Sequence, residues 1–121
     1  MVACELVTQE EVQAALGEPV GPGSPAPQNQ PTICNFSTAS GKQLSMVIYS
    51  PGGATMFPMM MPQPQEIPGI GDKAAWYGMG RIFGVLKGDT LLTLQFVGYT
   101  EGDQETLERA RQLATAAAGR F

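Results

Sequence analysis

Apolar residues recur with helical spacing at both ends of the chain and with a spacing of two in between. Near the front, Val12, Ala15 and Leu16 share one face of a helix. Thr8-Gln9-Glu10-Glu11 precedes them as a capping box. In that motif the Thr8 hydroxyl accepts from the Glu11 N–H, and the Glu11 carboxylate reaches back to the Thr8 N–H. Val7 and Val12 occupy hydrophobic-staple positions, and Gly17 supplies the stop. At the back, Leu107, Ala110, Leu113, Ala114 and Ala117 form the stripe of a second helix over 103–118. Asp103 is placed to cap it, Gly119 ends it, and Glu105 and Arg109 stand four apart in the favourable order.

Between the helices the period changes. Leu44, Met46 and Ile48 alternate with Ser45, Val47 and Tyr49, which predicts a half-buried strand over 43–50. It pairs with a strand over 33–37 around the turn Ala39-Ser40-Gly41-Lys42. A second hairpin joins 81–86 to 90–99 through Lys87-Gly88-Asp89. There Leu92, Leu94 and Phe96 are expected to point to the core, with Thr93 and Gln95 on the other face.

Two stretches lack any such pattern. Residues 18–32 hold Pro19, Pro22, Pro25, Pro27 and Pro31, and proline cannot donate to a sheet ladder. They read as a loop or as extended chain along a sheet edge. Residues 51–66 hold Pro51, Pro58, Pro62 and Pro64 and read as a Met/Pro-rich loop. The whole is expected to be a single α+β domain over residues 1–121. Its antiparallel sheet of about four to six strands carries the N-terminal and C-terminal helices on one face, the simplest way to bury every apolar stripe.

Composition narrows the classes of function. A net charge of −4 with seven scattered Lys and Arg residues argues against nucleic acid as a partner. No apolar run reaches the length of a membrane span. The start Met1-Val2-Ala3-Cys4 reads as a chain cut at the head of a mature domain.

Three readings of Cys4 and Cys34 are open. A disulfide would close a loop of about 30 residues and stabilise the fold by roughly 3–4 kcal/mol on the chain-entropy estimate. It would place the chain in an oxidising compartment. Val2-Ala3-Cys4 also resembles the tail of a bacterial lipobox, although a helix beginning four residues later leaves no tether for a lipid. Two inert buried thiols are the third reading.

The placed elements also resemble a family. The opening Cys4-Glu5-Leu6-Val7-Thr8-Gln9-Glu10-Glu11-Val12 is followed by Ala14-Ala15-Leu16-Gly17 and later by Cys34-Asn35-Phe36. Ile67-Pro68-Gly69-Ile70-Gly71-Asp72-Lys73-Ala74-Ala75-Trp76 comes next, ahead of a hairpin and an Ala-rich helix. This order is similar to that of small bacterial secreted domains and lipoproteins of the type grouped as domain of unknown function 3558. The resemblance covers most of the chain, each motif being moderately specific. It implies an exported domain, periplasmic, cell-surface or secreted, with Cys4 bonded to Cys34, and leaves a lipid anchor in the full-length precursor open. It supplies no catalytic residues, and the Met-rich stretch 56–61 departs from it.

Candidate chemistry is sparse. The chain has no His, which removes the commonest general base, nucleophile activator and metal ligand. No enzymatic activity and no cofactor are therefore expected. Gly69-Ile70-Gly71-Asp72-Lys73-Ala74 fits the dinucleotide fingerprint, but Pro68 precedes it and no βαβ unit surrounds it. It reads as a tight turn presenting Trp76 and Tyr77.

Met56-Phe57-Pro58-Met59-Met60-Met61-Pro62 is the least ordinary stretch, an apolar segment where loops are usually polar. It can cover an open sheet face, since Met is a flexible gap-filler. It can instead form an adaptable contact surface with Trp76, Tyr77 and Met79 beside it. Soft thioethers also select Cu(I), for which Met56, Met59 and Met61 are the candidate ligands. The expectation carried forward is a non-catalytic exported accessory or binding module of the bacterial cell envelope. Its contact surface comprises Met56, Phe57, Met59, Met60, Met61, Trp76 and Tyr77. Cu(I) binding and a purely structural domain of a larger secreted protein are the alternatives.

Overall fold

A computed structural model of the chain describes residues 2–25, 32–60, 64–98 and 103–121; the side chains of Met60 and Asp103 also lie outside the description. A short 3-10 turn, Ala3–Glu5, leads into helix α1 (Gln9–Leu16). Its capping box forms as expected. The Glu11 N–H donates to Thr8 Oγ1 at 3.1 Å, and the Thr8 N–H donates to Glu11 Oε1 at 2.8 Å. Val7 and Val12 are both buried, and Gly17 ends the helix with φ 76°. The expected cap at Asp103 and the expected strand end at Tyr99 fall outside the described side chains and residues.

Strands β1 (Ile33–Ser37) and β2 (Gln43–Tyr49) form the first hairpin, and β5 (Ile82–Lys87) and β6 (Thr90–Val97) the later one. Two further strands, β3 (Gln65–Glu66) and β4 (Lys73–Tyr77), complete a six-stranded antiparallel sheet of order β1-β2-β6-β5-β4-β3. Strand β4 occupies part of what reads in the sequence as an irregular middle. Ala74, Ala75 and Trp76 are all buried, so β4 is covered on both faces and shows no polar alternation.

One sheet face carries the main core. Registration places Leu44 opposite Phe96, Met46 opposite Leu94, Phe83 opposite Leu94 and Trp76 opposite Phe83. These side chains join Val12 and Leu16 of α1 and Leu107 and Leu113 of α3 (Asp103–Ala118) in one buried cluster. The molecule is thus an α+β domain with its terminal helices on the same face. Polar clamps fix that layer. Arg109 Nη1 donates to the Ala15 carbonyl at the end of α1 at 2.8 Å. Arg120 grips both Glu11 oxygens, at 2.6 and 3.0 Å, and donates to the Leu6 carbonyl at 2.9 Å.

Cys4 and Cys34 are bonded, with their Cα atoms 5.1 Å apart. The bridge ties the 3-10 turn to edge strand β1. It also sets aside the lipobox reading, because the Cys4 sulfur is already spent. The described part of the Pro-rich stretch lies along the outer edge of β1, as anticipated: Ser24 exchanges backbone bonds with Asn35 at 2.9 and 2.8 Å. Residues 26–31 lie outside the described residues.

The stretch 51–66 departs most from expectation, because residues Gly53–Met60 form a helix, α2, rather than a loop. Topology supplies one reason. Strand β2 lies next to one edge of the sheet and β3 forms the other, so the chain between them must cross a face. The terminal helices fill the first face, leaving the second, where Leu91, Thr93 and Ala75 are buried. The second reason is a cap supplied from far along the chain. Pro58 stands inside this helix and lacks a donor, but Ala54, whose carbonyl it leaves free, is exposed to solvent.

Candidate functional site

The cap of α2 comes from the β5–β6 turn. Asp89 accepts from the Gly52 N–H at 2.7 Å and from the Ala54 N–H at 3.1 Å through its carboxylate. The Asp89 carbonyl accepts from the Gly53 N–H at 2.9 Å. Three of the N–H groups at the start of the helix are thereby satisfied. The Gly52 and Ala54 bonds also hold the Asp89 carboxyl below its ordinary pKa. Gly53 permits the contact. A Cβ there would sit 2.4 Å from the backbone nitrogen of Leu91, so only glycine lets the two chains approach so closely.

Clamped in this way, α2 lies across the second sheet face without a single charged residue. Met56 and Phe57 are half-buried, while Met59 is 71% exposed. Met56 and Met59 stand one turn apart, as M-x-x-M spacing on a helix requires. Met61, the third candidate ligand for Cu(I), lies outside the described residues, as does the side chain of Met60.

The aromatic part of the expected surface divides between the two faces. Trp76 is only 2% exposed and packs in the main core, its ring 6.5 Å from that of Phe83 at an interplanar angle of 44°. The expectation that a turn presents Trp76 to a partner is therefore corrected. Lys73–Tyr77 is a strand, and its alternation sends Trp76 toward the helices. Tyr77 falls on the opposite face, is half-buried, and places its hydroxyl 4.0 Å from the Met79 sulfur. Met79, in the β4–β5 turn, is 90% exposed.

Beside α2 the structure opens a cleft of about 420 Å³. Phe57, Pro64, Ile67, Pro68 and Ile70 line it, together with Glu66, Asp72 and Lys73. The Gly69-Ile70-Gly71 turn builds one wall rigidly. Ile67 and Ile70 are buried, the Asp72 N–H donates to the Leu86 carbonyl at 2.8 Å, and Asp72 Oδ2 accepts from the Gly88 N–H at 2.7 Å. Gly71, at φ 59°, passes so close to Val85 and the Leu86 carbonyl that a Cβ would meet them at 2.8 and 3.0 Å. Sequence reasoning missed this cleft. Its one signal was the Pro-Gly-x-Gly-Asp run, which marks a tight turn without saying what the turn faces.

Fold and surface together define a disulfide-closed α+β domain that displays an uncharged apolar helix next to a preformed cleft. No family model, curated protein or solved structure matches the chain. Among the described residues, no helix is long and apolar enough to cross a membrane.

Proposed function

We propose that the protein is a non-catalytic, extracytoplasmic binding module of a bacterial cell envelope, and that its contact surface is the outer side of α2. The observation that carries this reading is the exposure of Met59 on a helix held in place by a distant residue. A helix that only sealed the sheet would turn its large apolar side chains inward. This one leaves Met56 and Phe57 half-buried and sends Met59 into solvent. Flexible thioethers suit contact with a protein surface of variable shape. The Cys4–Cys34 bond supports a place outside the reducing cytosol, and the resemblance to secreted domains points the same way.

The test separates a contact residue from a packing residue. Met59→Ser should leave the thermal midpoint and circular dichroism of the purified protein unchanged. A photo-crosslinking amino acid at position 59 should trap one discrete protein adduct on exported protein in cells. The same probe at exposed Val97 should trap none. A core-sized loss of stability in Met59→Ser, or absence of an adduct specific to position 59, would overturn the reading.

A further inference from the structure

The cleft also carries an inference that does not depend on a protein partner at α2, although Phe57 borders both surfaces. The chain has seven Lys and Arg residues, all of them described. Six are engaged within the fold. Lys42 lies 3.7 Å from Glu18, Arg111 lies 3.4 Å from Glu108, and Arg120 grips Glu11. Arg81 donates to the Thr106 hydroxyl, Lys87 to the Ala118 carbonyl and Arg109 to the Ala15 carbonyl. Of these seven, only the Lys73 side chain has no hydrogen-bond or ion-pair partner among the described residues, and Lys73 lines the cleft.

An unspent cation at the side of an apolar, preformed cleft fits one ligand chemistry. We infer that the cleft binds a small amphipathic carboxylate, its apolar body against Phe57, Pro64 and Pro68 and its anionic head at Lys73. The volume of about 420 Å³ falls in the size class of small-molecule sites. Of the two lining carboxylates, Asp72 already accepts from the Gly88 N–H and serves the turn. Glu66, on edge strand β3, is exposed and its negative charge opposes an anion in the cleft.

The two charges give the inference a test with effects of opposite sign. Decanoate is the probe, titrated calorimetrically into the intact, oxidised protein. Decanoate is expected to bind, and decanol, with the same chain but no charge, to bind at least about tenfold more weakly. Lys73→Met should weaken decanoate by at least about tenfold, as loss of a charge-assisted contact does. Glu66→Gln should tighten it by about threefold through removal of a like charge. Both residues are exposed, so both variants should keep the parent melting transition. Absence of decanoate binding up to about 1 mM, equal binding of decanol, or equal binding by Lys73→Met would each overturn the inference. The position-59 crosslink is unaffected by any of these outcomes, so the two readings fail separately.

Discussion

At the scale of single residues, Glu11 does more than its place in a capping motif suggests. Its carboxylate closes the capping box with the Thr8 N–H and also takes both guanidinium bonds from Arg120, at the far end of the chain. The Arg120 bonds come first and the Thr8 N–H adds to them, and together they outweigh partial burial. They hold the Glu11 carboxyl at about 2, against an ordinary 4.5. A carboxyl whose pKa is lowered by folding stabilises the protein above its unfolded pKa and loses that contribution as the group is protonated. The contribution is therefore full above about 4.5 and fades as the pH falls toward about 2. Urea unfolding across this window should show the parent losing stability on acidification more steeply than Glu11→Gln. Parallel pH profiles would show that the pair contributes nothing. Because the pair is partly exposed, its effect should also shrink in high salt.

At the scale of elements, α2 shows how a helix forms without a local signal to start it. Its eight residues include a glycine at the first position and a proline inside, both poor for an isolated helix. Its start is satisfied by Asp89, 37 residues beyond Gly52 in sequence, in the turn that joins β5 to β6. Formation of α2 thus depends on that hairpin being in place. Gly53→Ala should force the helix away from Leu91, at a cost of about 1–3 kcal/mol as for other overpacked contacts. Amide exchange over 53–60 should rise by more than exchange in α1 or α3. Uniform exchange changes across the protein would refute a local docking role for Gly53. The element scale also explains Trp76. A strand covered on both faces gives no alternation to read, so only its pairing with β5 assigns Trp76 to the core.

At the scale of the whole molecule, the disulfide and the two arginine clamps all act on the same seam. They hold the first residues of the chain against β1 and against the last helix. The arginine contacts span 94 and 114 residues, while the covalent bridge spans 30 and removes that loop's closure entropy from the unfolded chain. Replacing both cysteines with Ala should lower stability by roughly 3–4 kcal/mol on the chain-entropy estimate, measured by urea unfolding at neutral pH. Native circular dichroism with a loss under about 1 kcal/mol would place the bridge among the minor supports. The same scale accounts for the cleft, whose walls come from α2 and from the 67–72 turn and meet only when the sheet is assembled.

Elements whose forces are local could be read from the chain alone. The capping box, the staple, the two hairpins and the terminal helix each rest on contacts within a few residues, so periodicity and turn chemistry revealed them. From these the α+β class and the shared face of the terminal helices also followed, because apolar stripes must be buried against something. What only the tertiary structure decided depends on partners remote in sequence. Bonding of the cysteines, helicity of the Met-rich segment under Asp89, burial of Trp76 and the isolation of Lys73 beside a cleft all belong to that group. In each case the deciding term is a contact between chain segments that no pattern along the sequence records.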